Sequence, residues 1–119
     1  MKILIADDEA GSREMLAGFL IKRGYSVIQA ENGQVALGMT KKENPEVLIL
    51  DWMMPLMTGL EVLQSLQGEP AKPRQIYMAT GKSEPHEIKA MQEAGADQIL
   101  EKPYDLIFLL NLLEEAKNP

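Results

Sequence analysis

Residues 47–59 read VLILDWMMPLMTG. Four apolar residues, Val47 to Leu50, run straight into one aspartate, Asp51, and a Met-Pro pair and Gly59 follow. A short continuous apolar run of this kind is the signature of a strand buried on both faces, as in a parallel sheet. A charge abutting such a run is costly to place without a purpose. Asp51 is therefore the first candidate functional residue, and the rest of the chain is read outward from it.

Upstream, KILIA is a second such run and stops at Asp7-Asp8. From Ser12 to Arg23 the period changes to that of a helix: Met15 with Phe19, and Leu16 with Leu20, form i, i+4 pairs on one face. Gly24 ends that helix. YSVIQA reads as the next strand, and Asn32-Gly33 as the turn into a helix carrying Val35, Ala36 and Met39, which Asn44-Pro45 stops. Downstream of Asp51, a helix is predicted from about Thr58 to Gln67, and GEPAKPR is a loop by composition. QIYMAT is a fourth strand ending at Thr80-Gly81, and a helix starts at Ser83 or Glu84 with Pro85 in its first turn. Gly95 closes it, DQIL is the fifth strand, and a last helix runs from Tyr104 to about Lys117.

Five strands alternating with five helices predict an α/β fold with a parallel sheet covered on both faces. Right-handed crossovers make it doubly wound. No linker, low-complexity segment or internal repeat breaks the alternation, so residues 1–119 read as one domain. The 119 residues suffice for a single core, and 45% hydrophobic with 25% charged residues is an ordinary globular balance. A net charge of −6 opposes binding to nucleic acid or to anionic membrane surfaces. The absence of cysteine removes disulfides, zinc–thiolate sites, iron–sulfur clusters and cysteine nucleophiles together. MKILIADDE is too short in its apolar part for a signal peptide, and no run approaches a membrane span, so the expected location is the cytoplasm.

In a doubly wound sheet, ligands sit beyond the carboxyl ends of the strands, where strand order reverses. The residues just past the five runs are Asp7-Asp8, Glu31-Asn32, Asp51, Thr80 and Glu101-Lys102. With strand order 2-1-3-4-5, strands one and three flank the crevice. Asp7, Asp8 and Asp51 then converge there, with Thr80 and Lys102 beside them. Three neighbouring carboxylates cannot all stay ionised without a cation, and Lys102 brings only one charge. A hard divalent ion with oxygen ligands, Mg2+, suits such a site. Taken alone, Asp7-Asp8 reads equally well as a helix start, while Thr80 reads better as a turn residue and Lys102 better as a solvated lysine; their placement at one end of one sheet is what points to a site.

This ordered set resembles the receiver domain of two-component response regulators, over essentially the whole chain. The resemblance rests on Asp7-Asp8 after strand one, DWMMPLMTG with Asp51, Pro55 and Gly59, Thr80 after strand four, and Lys102-Pro103 after strand five. It implies a flavodoxin-like fold. It also implies that Asp51 accepts a phosphoryl group from the phosphohistidine of a sensor histidine kinase or phosphotransfer protein, with Mg2+. Asp8 would bind the metal directly, Asp7 mainly through water, and the Met53 backbone carbonyl would add a ligand. Thr80 would hydrogen-bond the phosphoryl group, Lys102 would pair with one of its oxygens, and the Lys102-Pro103 bond would be cis. Such a protein modifies itself rather than turning over a separate substrate, and it is not an enzyme in the ordinary sense.

Two features depart from the pattern. Many receivers carry Tyr or Phe where Ile99 stands, so an aromatic rotamer switch cannot operate there. On a helical wheel of the last helix, Leu106, Leu109, Leu110 and Leu113 share the core face. Phe108 and Leu112 lie on the opposite side with Ile107 between them. Together with Ile99 and Tyr104 these predict an apolar contact surface on the face of helix four, strand five and helix five, for a second copy or a downstream protein. Met53 and Lys82 occupy positions that tune phosphoryl lifetime in the family, and the apolar Met53 predicts a long-lived phosphoryl group.

Other readings are weaker on particular residues. A phosphohydrolase of the haloacid-dehalogenase type also uses an aspartate nucleophile and Mg2+, but wants a second aspartate where Met53 stands. An interaction module that ignores phosphorylation would have no use for the acceptor, acids, threonine and lysine together. No turn matches the dinucleotide-binding G-x-G-x-x-G. His86 lacks a histidine or cysteine partner and reads as solvated, the eight methionines read as core filling, and Trp52 is useful as a reporter. A stand-alone receiver and the receiver of a longer regulator both fit, with EEAKNP as the place where an output linker would begin.

Overall fold

The computed structural model describes residues 1–81 and 83–117. Five βα units follow one another: β1 (Lys2–Ala6), α1 (Ala10–Lys22), β2 (Ser26–Ala30), α2 (Gly33–Glu43), β3 (Val47–Asp51), α3 (Gly59–Leu66), β4 (Gln75–Thr80), α4 (Pro85–Glu93), β5 (Gln98–Glu101) and α5 (Leu106–Lys117). All strand pairs are parallel and the order is β2-β1-β3-β4-β5, as the sequence predicts. Every residue of β3 is buried, which accounts for the unbroken VLIL run.

Strand alternation divides the core into two layers. Ile3, Ile5, Val47, Ile49, Tyr77 and Leu100 pack with Leu16, Ala17 and Leu20 of α1 and Leu109 and Leu113 of α5. Leu4, Leu48, Leu50, Ile76 and Met78 pack with Ala36 of α2, Val62, Leu63 and Leu66 of α3 and Met91 of α4.

The helix starts are set by local chemistry. The Asn32 side chain accepts the Val35 N–H at 2.9 Å, and Thr58 and Glu61 bond each other's backbone N–H at 3.0 and 3.2 Å. Asn44 ends α2 in the left-handed region, at φ 48°. The Lys102-Pro103 bond is cis. Asp105 accepts the Phe108 N–H at 3.0 Å and α5 starts at Leu106, two residues later than the predicted Tyr104.

Two helix faces differ from the wheel reading. Met15 is 51% exposed, because the buried stripe of α1 is Leu16, Ala17 and Leu20, with Phe19 only at its edge. Leu112 is not on an exposed strip: it packs against the core layer of α1 and α5, while Ile107 and Phe108 are exposed. The core stripe of α5 is wider than a/d spacing requires, since Leu112 joins Leu109 and Leu113 against this layer and borders a recess with Gln75, Tyr77 and Gln98 at the opposite end of the sheet from Asp51. Met54, Met78 and Met91 fill the core as expected, but Met15 and Met53 do not. No helix among the described residues is long and apolar enough to cross a membrane.

Candidate functional site

The strand register brings the candidates together. Ala6 pairs with Leu50, Asp51 with Ala79 and Thr80 with Glu101, so Asp7, Asp51, Thr80 and Lys102 all emerge at the carboxyl end of the sheet. Backbone bonds continue the ladders past the strand ends: Trp52 N–H to Ala79 O at 2.8 Å, and Lys102 N–H to Thr80 O at 2.8 Å. Gly59 lets α3 begin against this edge. Its N–H donates to Trp52 O at 3.0 Å, and a Cβ there would run into the Asp51 carbonyl oxygen. Gly33 is equally confined by the backbone of Met57. Leu56, 72% exposed, holds φ 69° in the connection from β3 to α3.

One ligand oxygen from each of Asp7, Asp8 and Asp51 lies within 4.8 Å of the others. Asp7 is 1% exposed and Asp51 8%, whereas Asp8 faces solvent. Lys102 Nζ stands 2.7 Å from Asp7 Oδ2 and 3.3 Å from Asp51 Oδ2. Burial would raise the Asp7 carboxyl, but the bonds from Lys102 and from the Glu9 N–H (2.9 Å) outweigh it and hold it below its usual range. Burial pushes Asp51 up to about 6; Lys102 opposes this and the Asp7 charge adds to it. Burial would lower Lys102, yet its two carboxylate neighbours hold it above its usual value. One ammonium thus serves Asp7 at the expense of Asp51, and the site carries more negative charge than it neutralises. An oxygen-rich, under-neutralised cluster of this kind fits a hard divalent cation.

Two residues that sequence reasoning did not single out brace the site. Arg13 of α1 donates to Asp7 O at 2.7 Å and to Gln29 Oε1 at 3.1 Å. Ser83 Oγ lies 2.6 Å from Thr80 Oγ1. Both are contacts across loops or between elements, and periodicity carries no signal for them. Glu31 is exposed and Asn32 caps α2, so neither joins the acids.

Residues 3–114 match the family model of the response regulator receiver domain. The chain belongs to this family. It is 40% identical over 110 residues to "Response regulator MprA" of Mycobacterium tuberculosis, covering 92% of this chain and 47% of that one. It is 41% identical over 103 residues to "Probable transcriptional regulator ycf27" of Porphyridium aerugineum, covering 87% of this chain and 42% of that one. The chain thus spans less than half the length of these curated relatives. Among solved structures, the chemotaxis protein CheY4 of Vibrio cholerae superposes with a TM-score of 0.88 at 32% identity, covering 97% of both chains.

In this receiver, Ile99, Glu101, Pro103, Tyr104, Asp105 and Phe108 border an open groove of about 280 Å³ between β5 and α5. Ile99 itself is half-buried against the α2–α3–α4 layer. Burial, then the charges of Asp7 and Asp51, push the Tyr104 hydroxyl far above its ordinary range, which links this groove electrostatically to the acids. Ile107 is 75% exposed and Phe108 45%. Met53 is exposed and His86 is exposed, while Lys82 and the end of the predicted linker lie outside the described residues.

Proposed function

We propose that this receiver is a phospho-acceptor switch in which Asp51 takes the phosphoryl group from a phosphohistidine of a sensor kinase or phosphotransfer protein. The observation that carries this reading is the shared Lys102 ammonium, 2.7 Å from Asp7 and 3.3 Å from Asp51 at the open end of the sheet. An Asp51 oxygen attacks phosphorus as the P–N bond breaks, and the electron pair leaves with the imidazole, which takes up a proton. Little else is needed beyond alignment and neutralisation of the equatorial oxygens.

Asp7, Asp8 and Asp51, with the Met53 backbone carbonyl, would hold Mg2+, which when bound supplies positive charge to the phosphoryl oxygens. Lys102 pairs with another oxygen and Thr80 donates its hydroxyl proton to a third. The chain phosphorylates and dephosphorylates at its own carboxylate, so the reaction is a change of state. That change is read out through α4, β5 and α5, where Ile99, Tyr104, Ile107 and Phe108 meet a second copy or a downstream protein.

The test follows Trp52 fluorescence during Mg2+ titration, then on addition of beryllofluoride or a small phosphodonor, with Asp51→Ala as control. A Mg2+-dependent change followed by a second change absent from the variant is expected. Absence of both, together with mass spectrometry that finds no acyl phosphate, would overturn the reading.

A further inference from the structure

Thr80 is 4% exposed at the end of β4, and its Oγ1 lies 2.6 Å from the Ser83 hydroxyl in the connection to α4. Alternation along β4 places Thr80 on the side of Ile76 and Met78, the layer shared with α2, α3 and α4. Along β3, Asp51 falls on the side of Val47 and Ile49, the layer shared with α1 and α5. The Thr80 hydroxyl is therefore engaged toward α4, on the other side of the sheet edge from the acceptor. A threonine hydroxyl has one proton to donate and two lone pairs. Ser83 is not needed to start α4: Pro85 supplies the preset first turn, and the Glu84 N–H donates to Glu87 Oε1 at 2.8 Å.

We propose that Ser83 is a positioning residue for Thr80, a latch that holds its hydroxyl in the resting orientation and joins it to the start of α4. This rests on the reading of Asp51 as phosphoryl acceptor. When Thr80 turns to a phosphoryl oxygen on Asp51, its bond to Ser83 is exchanged for the new one. Ser83, half-exposed, turns to water. The same exchange frees the Ser83 side chain two residues ahead of Pro85, so acceptor occupancy is felt at the start of α4. Removing the latch removes one competing hydrogen bond from the resting state only, worth about a fivefold shift in an equilibrium.

The experiment measures beryllofluoride affinity in Mg2+, by Trp52 fluorescence, for the wild-type chain, Ser83→Ala, Ser83→Thr, Thr80→Val and the double variant Thr80→Val/Ser83→Ala. Amide exchange of Glu87 and Ile88 is measured on the metal-free proteins. Expected are an approximately fivefold tighter affinity for Ser83→Ala, return to within about twofold of wild type for Ser83→Thr, and no effect of Ser83→Ala on the Thr80→Val background. Glu87 and Ile88 amides are expected to exchange faster in metal-free Ser83→Ala. Unchanged or weaker affinity in Ser83→Ala, or an equal effect without the Thr80 hydroxyl, would overturn the latch while leaving the acceptor reading intact. A wild-type chain indifferent to beryllofluoride would overturn both.

Discussion

Lys102 Nζ lies closer to Asp7 than to Asp51, at 2.7 Å against 3.3 Å, so the ammonium neutralises the neighbour better than the acceptor. Asp51 is left with a carboxyl raised to about 6, chiefly by burial. A raised folded-state value means that the protonated form is favoured by folding. Stability from this group is fully present below the ordinary carboxylate range and is lost as pH rises through about 6. At pH 7 Asp51 is therefore a net burden on the metal-free fold. Asp51→Asn is expected to stabilise the metal-free protein at pH 7 by about 1–3 kcal/mol, and the gain should shrink toward pH 4. Mg2+ should raise the melting temperature of the wild type and leave Asp51→Asn nearly unmoved. Urea unfolding at both pH values checks the first part, and a variant no more stable than wild type at pH 7 would refute it.

Gly59 and Gly38 make an internally controlled pair. A Cβ at Gly59 would strike the Asp51 carbonyl oxygen, while one at Gly38, in the exposed face of α2, would meet nothing within 4 Å. Gly59→Ala is expected to cost about 3 kcal/mol and to weaken Mg2+ affinity, because the acceptor's own backbone must shift. Gly38→Ala is expected to add about 0.5–1 kcal/mol, since alanine loses less entropy in a helix. Denaturant midpoints of the two variants should move in opposite directions.

The fold was legible in the sequence because three strands carry unbroken apolar runs, ILIA in β1, VLIL in β3 and IYMA in β4, each followed at once by a polar residue, and these polar residues lie at the open edge of the sheet. Asp7, Asp8, Asp51, Thr80 and Lys102 could be gathered from topology alone. Leu112 could not be placed: a helical wheel knows the helix axis and not how far the α1–α5 core layer extends around it. Ser83 and Arg13 were hidden for a related reason. Their partners, Thr80 and the Asp7 carbonyl, are fixed by tertiary geometry and not by any period in the chain.

Ile107 and Leu112 should separate surface from core on the same helix. Ile107 is 75% exposed, whereas Leu112 packs against the α1–α5 layer. Ile107→Ser is expected to change stability by less than about 0.5 kcal/mol and Leu112→Ala to cost about 2 kcal/mol. Self-association, followed by sedimentation with beryllofluoride present, should fall in Ile107→Ser at unchanged stability, and in Phe108→Ser as well. Equal destabilisation by Ile107→Ser and Leu112→Ala would contradict the placement.

Tyr77 sets an alkaline limit. It is 1% exposed in the α1–α5 layer, and burial, then the charges of Asp97 and Glu115, push its hydroxyl up to about 12. The unfolded chain releases this proton near pH 10, the folded chain about two units later, so between these values the unfolded state binds fewer protons. Stability is thus fully present below pH 10 and is lost through about 12, at about 1.4 kcal/mol per pH unit for this one group. Tyr25 and Tyr104 are raised in the same direction, so the wild-type slope should exceed one proton. Tyr77→Phe is expected to unfold near the wild-type urea midpoint at pH 7, and its loss of stability from pH 10 to 11.5 should be shallower by one proton's worth. An unaltered slope would place the titrating burden on Tyr25 and Tyr104 instead.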